Sequence, residues 1–291
     1  MVSRPMTIQI LSWLLIIDCR WGAGMPHVVI TGGSSGIGLA LAIKLAELGF
    51  SVSIVARDSN RLATAREAII AAKPGAKVFT NAADVGNAEQ CTTAVAQSIN
   101  ELGPLDWAIA CAGVVHPYRF LDQSLAMHEE QMRTNYFGSL HLAIAAVPSM
   151  IANGGGRLVF VSSAAAICGI YGYSGYGASK FALRGLAEAL SVELQSDGVA
   201  VTLVYPPDTD TPQLALERSQ RSEITTRIAG AAGIWQPDDV ANSIIRGVQR
   251  GAFVIAPGLP IQFLYIMQGM LGSLFRFRQR KIVASFIRRP N

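Results

Sequence analysis

The sequence predicts an α/β fold, a single doubly wound parallel sheet with helices on both faces. Three observations carry that reading. The apolar run His27-Val-Val-Ile-Thr31 leads into a glycine-rich turn, Gly32-Gly-Ser34-Ser35-Gly36-Ile37-Gly38, and then into a helical stretch from Leu39 to Leu48. Short apolar or β-branched runs then alternate with longer helical patterns, as strand–helix–strand units do. Finally, 291 residues with 51% hydrophobic and only 15% charged residues suffice for one large core and exclude a disordered chain.

The first strand is His27–Thr31, and Gly49 ends the helix that follows. Glycines at 32, 36 and 38, with Ser34, Ser35 and Ile37 between them, let the backbone approach a pyrophosphate. The helix N-terminus favours its charge. The second strand, Ser51–Ala56, is followed by Arg57. An NAD site usually has an acidic residue here for the ribose 2′-hydroxyl. A guanidinium suits a 2′-phosphate instead, so Arg57 points to NADP(H). Its plainer reading is as the start of the Asp58–Lys73 helix, partly offset by Asp58.

Ala76–Thr80 is read as the third strand, Asp84-Val85 follows, and Asn87 is read as the cap of the next helix. The fourth strand, Asp106–Ala110, runs into Cys111-Ala112-Gly113. A long helical pattern covers 124–152 and contains Asn135, a poor helix former that wants a reason to be there. Arg157–Ser163 is read as a buried fifth strand, and a helix runs from Tyr176 to about Ser196. After the sixth strand, Val199–Val204, comes Tyr205-Pro206-Pro207-Asp208-Thr209-Asp210-Thr211-Pro212. Its prolines limit the loop's freedom, and Thr209 and Thr211 can hydrogen-bond a nicotinamide amide. Residues 213–235 read as a polar, mobile segment covering the substrate. A helix starts at Gln236-Pro237, and Phe253–Ala256 reads as the last strand.

The chemistry centres on Ser163, Tyr176 and Lys180. Tyr176 and Lys180 are four residues apart, so a helix places them on one face one turn apart. A free phenol titrates near pH ~10 and is a poor proton donor or acceptor at neutrality. A fixed ammonium favours the phenolate and is expected to lower that pKa, which suits proton transfer at an alcohol or ketone oxygen. Ser163 stands at the carboxyl end of a strand, where open α/β sheets bind ligands.

Together with Gly32-x3-Gly36-x-Gly38, these residues resemble the short-chain dehydrogenase/reductase family, over about residues 26–256. The resemblance implies a Rossmann fold. It implies that Tyr176 is the acid/base, that Lys180 lowers its pKa and holds the cofactor ribose, and that Ser163 orients the substrate oxygen. Asn135 would bend its helix and hold a water on Lys180. The resemblance also places Asp84-Val85 beside the adenine and lets the cofactor approach closely at Ala112-Gly113. Cys111-Ala112 replaces a usual Asn-Asn, whose amides often brace the sheet, and Pro206-Pro207 replaces a usual Pro-Gly.

Tyr205–Pro212, Phe160–Ser163 and Ala178–Leu190 resemble a narrower branch, the 3-ketodihydrosphingosine reductases. Those enzymes use NADPH to reduce the C3 ketone of a long-chain sphingoid base. The expected function is therefore NADPH-dependent reduction of a lipophilic ketone. The alternatives are another lipid, steroid or acyl-thioester carbonyl, or a non-catalytic NADP-sensing protein; the intact Asn135, Ser163, Tyr176 and Lys180 oppose the last. The resemblance further implies a homodimer or tetramer built on helices 124–152 and 176–196.

Three segments are expected: residues 1–25, a cofactor-binding domain at 26–260, and a tail at 261–291. The net charge is +4, but the tail holds six basic residues and no acidic ones, leaving 18 basic against 20 acidic elsewhere. That balance argues against a nucleic-acid-binding body and suggests an anionic partner for the tail, such as a membrane surface. No stretch of the tail reaches eighteen uninterrupted apolar residues, so an interfacial helix is expected rather than a span; packing of its apolar part on the core is the competing reading. Residues 1–24 read either as an upstream extension preceding a start at Met25 or as a membrane-surface segment. Four cysteines without C-x-x-C spacing suggest no metal site and a reducing compartment. The expected location is the cytoplasm, with membrane contact on the cytosolic face.

Overall fold

The computed structural model describes residues 25–229 and 233–287. Its centre is a seven-stranded, wholly parallel sheet in the order β3-β2-β1-β4-β5-β6-β9. The strands are β1 (His27–Thr31), β2 (Ser51–Ala56), β3 (Val78–Ala82), β4 (Trp107–Ala110), β5 (Gly156–Val161), β6 (Val199–Val204) and β9 (Val254–Ile255). A separate two-residue pair joins β7 (Asp208–Thr209) to β8 (Ile234–Trp235).

Alternation along the strands divides the interior in two. Val29, Val55, Leu158 and Phe160 face one layer, built from α3 (Ala88–Leu102), α5 (Gly138–Ala152) and α6 (Ser174–Glu193). Val28, Ile30, Ile54 and Val159 face the other, built from α1 (Gly36–Glu47), α2 (Ser59–Ala72) and α9 (Pro237–Gln249). Near-continuous apolar strands are what burial on both faces requires. The caps agree with local chemistry: Asp58 accepts from the Asn60 and Arg61 amides, and Asn87 from Gln90.

Several boundaries move. β3 lies two residues later than expected, because pairing with β2 aligns Val78 with Val52, while Ala76 belongs to a turn closed on the Lys73 carbonyl. β5 stops at Val161, so Ser162 and Ser163 follow the strand. The long pattern at 124–152 is α4 (Leu125–Met132) and α5 joined by a π-helical turn, Arg133–Phe137. Within the segment read as mobile, 213–235, the described residues form α7 (Pro212–Gln220), α8 (Glu223–Ala229) and β8. Thr211 accepts from Leu214 to cap α7, and an internal ion pair network fixes the segment.

The tail is one 29-residue helix, α10 (Leu259–Ile287). It packs on the body through Ile261, Leu264 and Tyr265. Gln279 then accepts from the Tyr171 amide at 3.0 Å and donates to the Gly169 carbonyl at 2.8 Å. The boundary expected at 260 therefore falls in this helix's first turn. Among the described residues, no helix is long and apolar enough to cross a membrane.

Candidate active site

The carboxyl ends of β1, β2, β4, β5 and β6 open onto a cleft of about 750 Å³. Every residue predicted to touch cofactor or substrate lines it except Asn135, which is fully buried behind it.

At one end the Gly32–Gly38 turn forms a close cradle. Gly36 has φ of +54°, and a Cβ at Gly38 would come within 2.3 Å of the Gly32 carbonyl oxygen, so side chains are excluded. Ser35 caps α1 without a side-chain hydrogen bond, which leaves the first-turn amides for an anion. Arg57 stands exposed on the rim, and Arg61 lines the cleft beside it. Asp58 is engaged with the α2 amides and lies 3.7 Å from Arg61; Arg57 has no ion-pair partner among the described residues. The loop chemistry and this free guanidinium fit a dinucleotide.

The turn Cys111-Ala112-Gly113 is braced from outside. Thr31 Oγ1 accepts from the Cys111 and Ala112 amides at 3.3 and 3.5 Å, so β1 supports the end of β4 without the usual asparagines. Burial pushes the Cys111 thiol up to about 11, against the opposing pull of Lys180, which makes it a poor nucleophile. At Gly113 an added Cβ would lie 3.2 Å from Asn135 Oδ1 and 3.7 Å from Lys180 Nζ. The loop, Asn135 and Lys180 therefore converge there.

Asn135 sits in the π-helical turn. Its amide takes the Val114 amide at 2.8 Å and gives to the Val114 carbonyl at 3.0 Å and to Ser179 Oγ at 2.9 Å. It thereby ties the β4 loop to the helix that carries Tyr176 and Lys180. Lys180, 4% exposed, donates to the Val161 carbonyl at 3.0 Å, and burial lowers its ammonium to about 8.

Tyr176 is half-buried, and desolvation, followed by the charge of Glu217, holds its phenol above the usual range. Ser163 pulls the other way. The expectation that Lys180 lowers this pKa is thus not met within the protein: desolvation and the Glu217 charge raise it, and Lys180 is not among the groups that move it. Ser163 Oγ also accepts from the Ala165 amide at 3.1 Å. Thr209 Oγ1 donates to the Pro207 carbonyl at 2.9 Å, leaving its lone pairs as acceptors. Thr211 meets the glycine turn, its methyl lying 2.8 Å from where a Cβ of Gly36 would be.

Sequence reasoning missed a polar network over Tyr176. The Tyr173 ring lies 5.6 Å from that of Tyr176, and its hydroxyl donates to Glu217 Oε1. Arg221, with its side chain 3% exposed, grips Asp208 through two bonds of 2.8 and 3.2 Å. It also donates to Glu217 Oε1 at 3.0 and 2.7 Å. Burial alone would lower the Arg221 guanidinium, but the bonds to Asp208 and the charge of Glu217 hold it above its usual range. The spacing Glu217-x3-Arg221 was a legible helix pair; its closure on Asp208 and Tyr173 was not.

Comparison with known proteins agrees with this geometry. The family model described as short chain dehydrogenase matches residues 26–222. A 3-ketodihydrosphingosine reductase of Bos taurus is 39% identical over 230 residues, covering 78% of this chain and 69% of that protein. A 3-dehydrosphinganine reductase of Arabidopsis thaliana is 43% identical over 232 residues, covering 79% and 69%. Among solved structures, a short chain dehydrogenase/reductase from Burkholderia phymatum in complex with NAD superposes with a TM-score of 0.77 at 24% identity, over 86% of this chain and 95% of that one.

Proposed function

We propose that this chain, which belongs to the short chain dehydrogenase family, is an NADPH-dependent reductase of a lipophilic ketone. Its substrate on this reading is 3-ketodihydrosphingosine and its product dihydrosphingosine. The observation that carries the proposal is Ser163 and a half-buried Tyr176 lining one cleft, with Lys180 one helical turn from Tyr176. Two relatives named for this substrate are 39% and 43% identical to the chain over 230 and 232 residues. Apolar Ile170, Leu214, Leu216 and Ile261 line the same cleft, as an alkyl chain requires.

When bound, the nicotinamide supplies the hydride. Ser163 and Tyr176 hold the carbonyl oxygen. A phenol held above its usual range keeps its proton until the oxygen gains charge, and then donates it. Lys180, lowered to about 8, can exchange protons near neutrality and is placed to restore the phenol. Arg57 selects the 2′-phosphate.

On the same reading the chain works at a membrane surface. Leu259, Phe263, Ile266, Met270, Leu274 and Phe277 are all more than half exposed along α10, three or four residues apart as one helical stripe demands. Arg276, Arg278, Arg280 and Lys281 accompany it, a pattern suited to anionic lipid. The test of function is NADPH oxidation against 3-ketodihydrosphingosine, steroid ketones and acyl-thioester ketones. Turnover of the sphingoid ketone supports the proposal; turnover confined to the other classes overturns it.

A further inference from the structure

The network over Tyr176 carries one more negative charge than positive. Both oxygens of Asp208 are taken by Arg221. Glu217 accepts from Tyr173 and from Arg221 through Oε1 alone, and its Oε2 has no hydrogen-bond partner among the described residues. One guanidinium thus faces two carboxylates, for a net charge of −1. Glu217 lines the cleft, 11% exposed at its side chain. A glutamine would keep an oxygen for Tyr173 and Arg221, though without the charge that strengthens those bonds; the free Oε2 itself has no structural task.

Its position gives it one. The Tyr173 ring links the carboxylate to Tyr176, bonded to the one and 5.6 Å from the ring of the other, and Tyr176 is the residue that meets the reacting oxygen. A sphingoid-base ketone bears an ammonium on the carbon next to its carbonyl. That cation must therefore lie within a few ångströms of Tyr176, and a carboxylate that lines the cleft is the natural partner for it.

We infer that Glu217 binds this ammonium and sets a preference for an amino ketone over a plain one. The inference rests on the sphingoid-ketone reading above. Arg221 and Tyr173 position the carboxylate, and Oε2 makes the contact.

The experiment compares kcat/KM for 3-ketodihydrosphingosine with that for the ketone of the same length lacking the amine, in the wild-type chain and in Glu217→Gln. The wild type should favour the amino ketone by about tenfold to a hundredfold, the range of one charge-assisted contact. In Glu217→Gln the ratio should collapse towards one, chiefly through KM. A wild type that uses both ketones equally overturns the inference and needs no variant to do so. An equal loss for both substrates in the variant also overturns it and marks Glu217 as structural, while the sphingoid-ketone reading stands. A wild type that ignores the amino ketone sinks both.

Discussion

Lys180 Nζ stands 5.8 Å from the centre of the Tyr176 ring and is bonded not to that phenol but to the Val161 carbonyl, 3.0 Å away. The pair is set by a four-residue helical step, yet the ammonium is anchored by the adjoining strand. A phenol held up by desolvation then serves as a proton donor, with Ser163 lining the same cleft. Tyr176→Phe removes the donor and keeps the ring. Turnover should fall at least ~10²-fold with cofactor affinity largely kept. Steady-state kinetics and cofactor titration check this, and near-wild-type turnover refutes the proton-donor role.

The buried Lys180 should also cost stability. Its ammonium is lowered from 10.5 to about 8, so between these values the unfolded chain binds the extra proton. Stability should therefore rise with pH across that window, and below about pH 8 the penalty is constant. Its scale is on the order of 3 kcal/mol, reduced by about 1 for the lost bond to Val161 in a variant. Lys180→Met should melt higher than wild type at pH 7, and the gap should close by about pH 10. Melting curves in which the gap widens with pH would contradict the assignment.

Arg57 faces the rim without a carboxylate partner, since Asp58 is occupied by α2. Arg57→Ala should weaken NADPH binding roughly 10- to 100-fold while NADH binding changes little, because one charge-assisted contact is lost. Titration of each cofactor measures this. Equal losses would show that Arg57 does not read the phosphate.

The exposed stripe of α10 can be tested without cutting a helix that packs on the core. Replacing Phe263, Ile266, Met270 and Leu274 with serine should leave the inward contacts of Ile261, Leu264 and Tyr265 intact. The full chain should sediment with anionic vesicles, less so as salt rises, and the substituted chain should stay in the supernatant. Equal sedimentation of both chains would remove the stripe from any membrane role.

Local spacing already contained much of the site. Tyr176 and Lys180 need only a helix to meet on one face, the glycine turn needs only a strand before it and a helix after it, and alternating apolar runs sufficed to set a parallel sheet with two covered faces. Thr31 bracing the β4 turn, Asn135 tying Val114 to Ser179, and Arg221 joining Asp208 to Tyr173 through Glu217 were decided by tertiary structure alone. Each joins groups brought together by sheet order or loop closure, and their energies depend on burial that no local spacing records. The Tyr176 phenol illustrates the division: its neighbour four residues on was legible, but the desolvation and the Glu217 charge that set its proton affinity exist only once the helix is packed on the sheet and the 208–221 segment closes over the cleft.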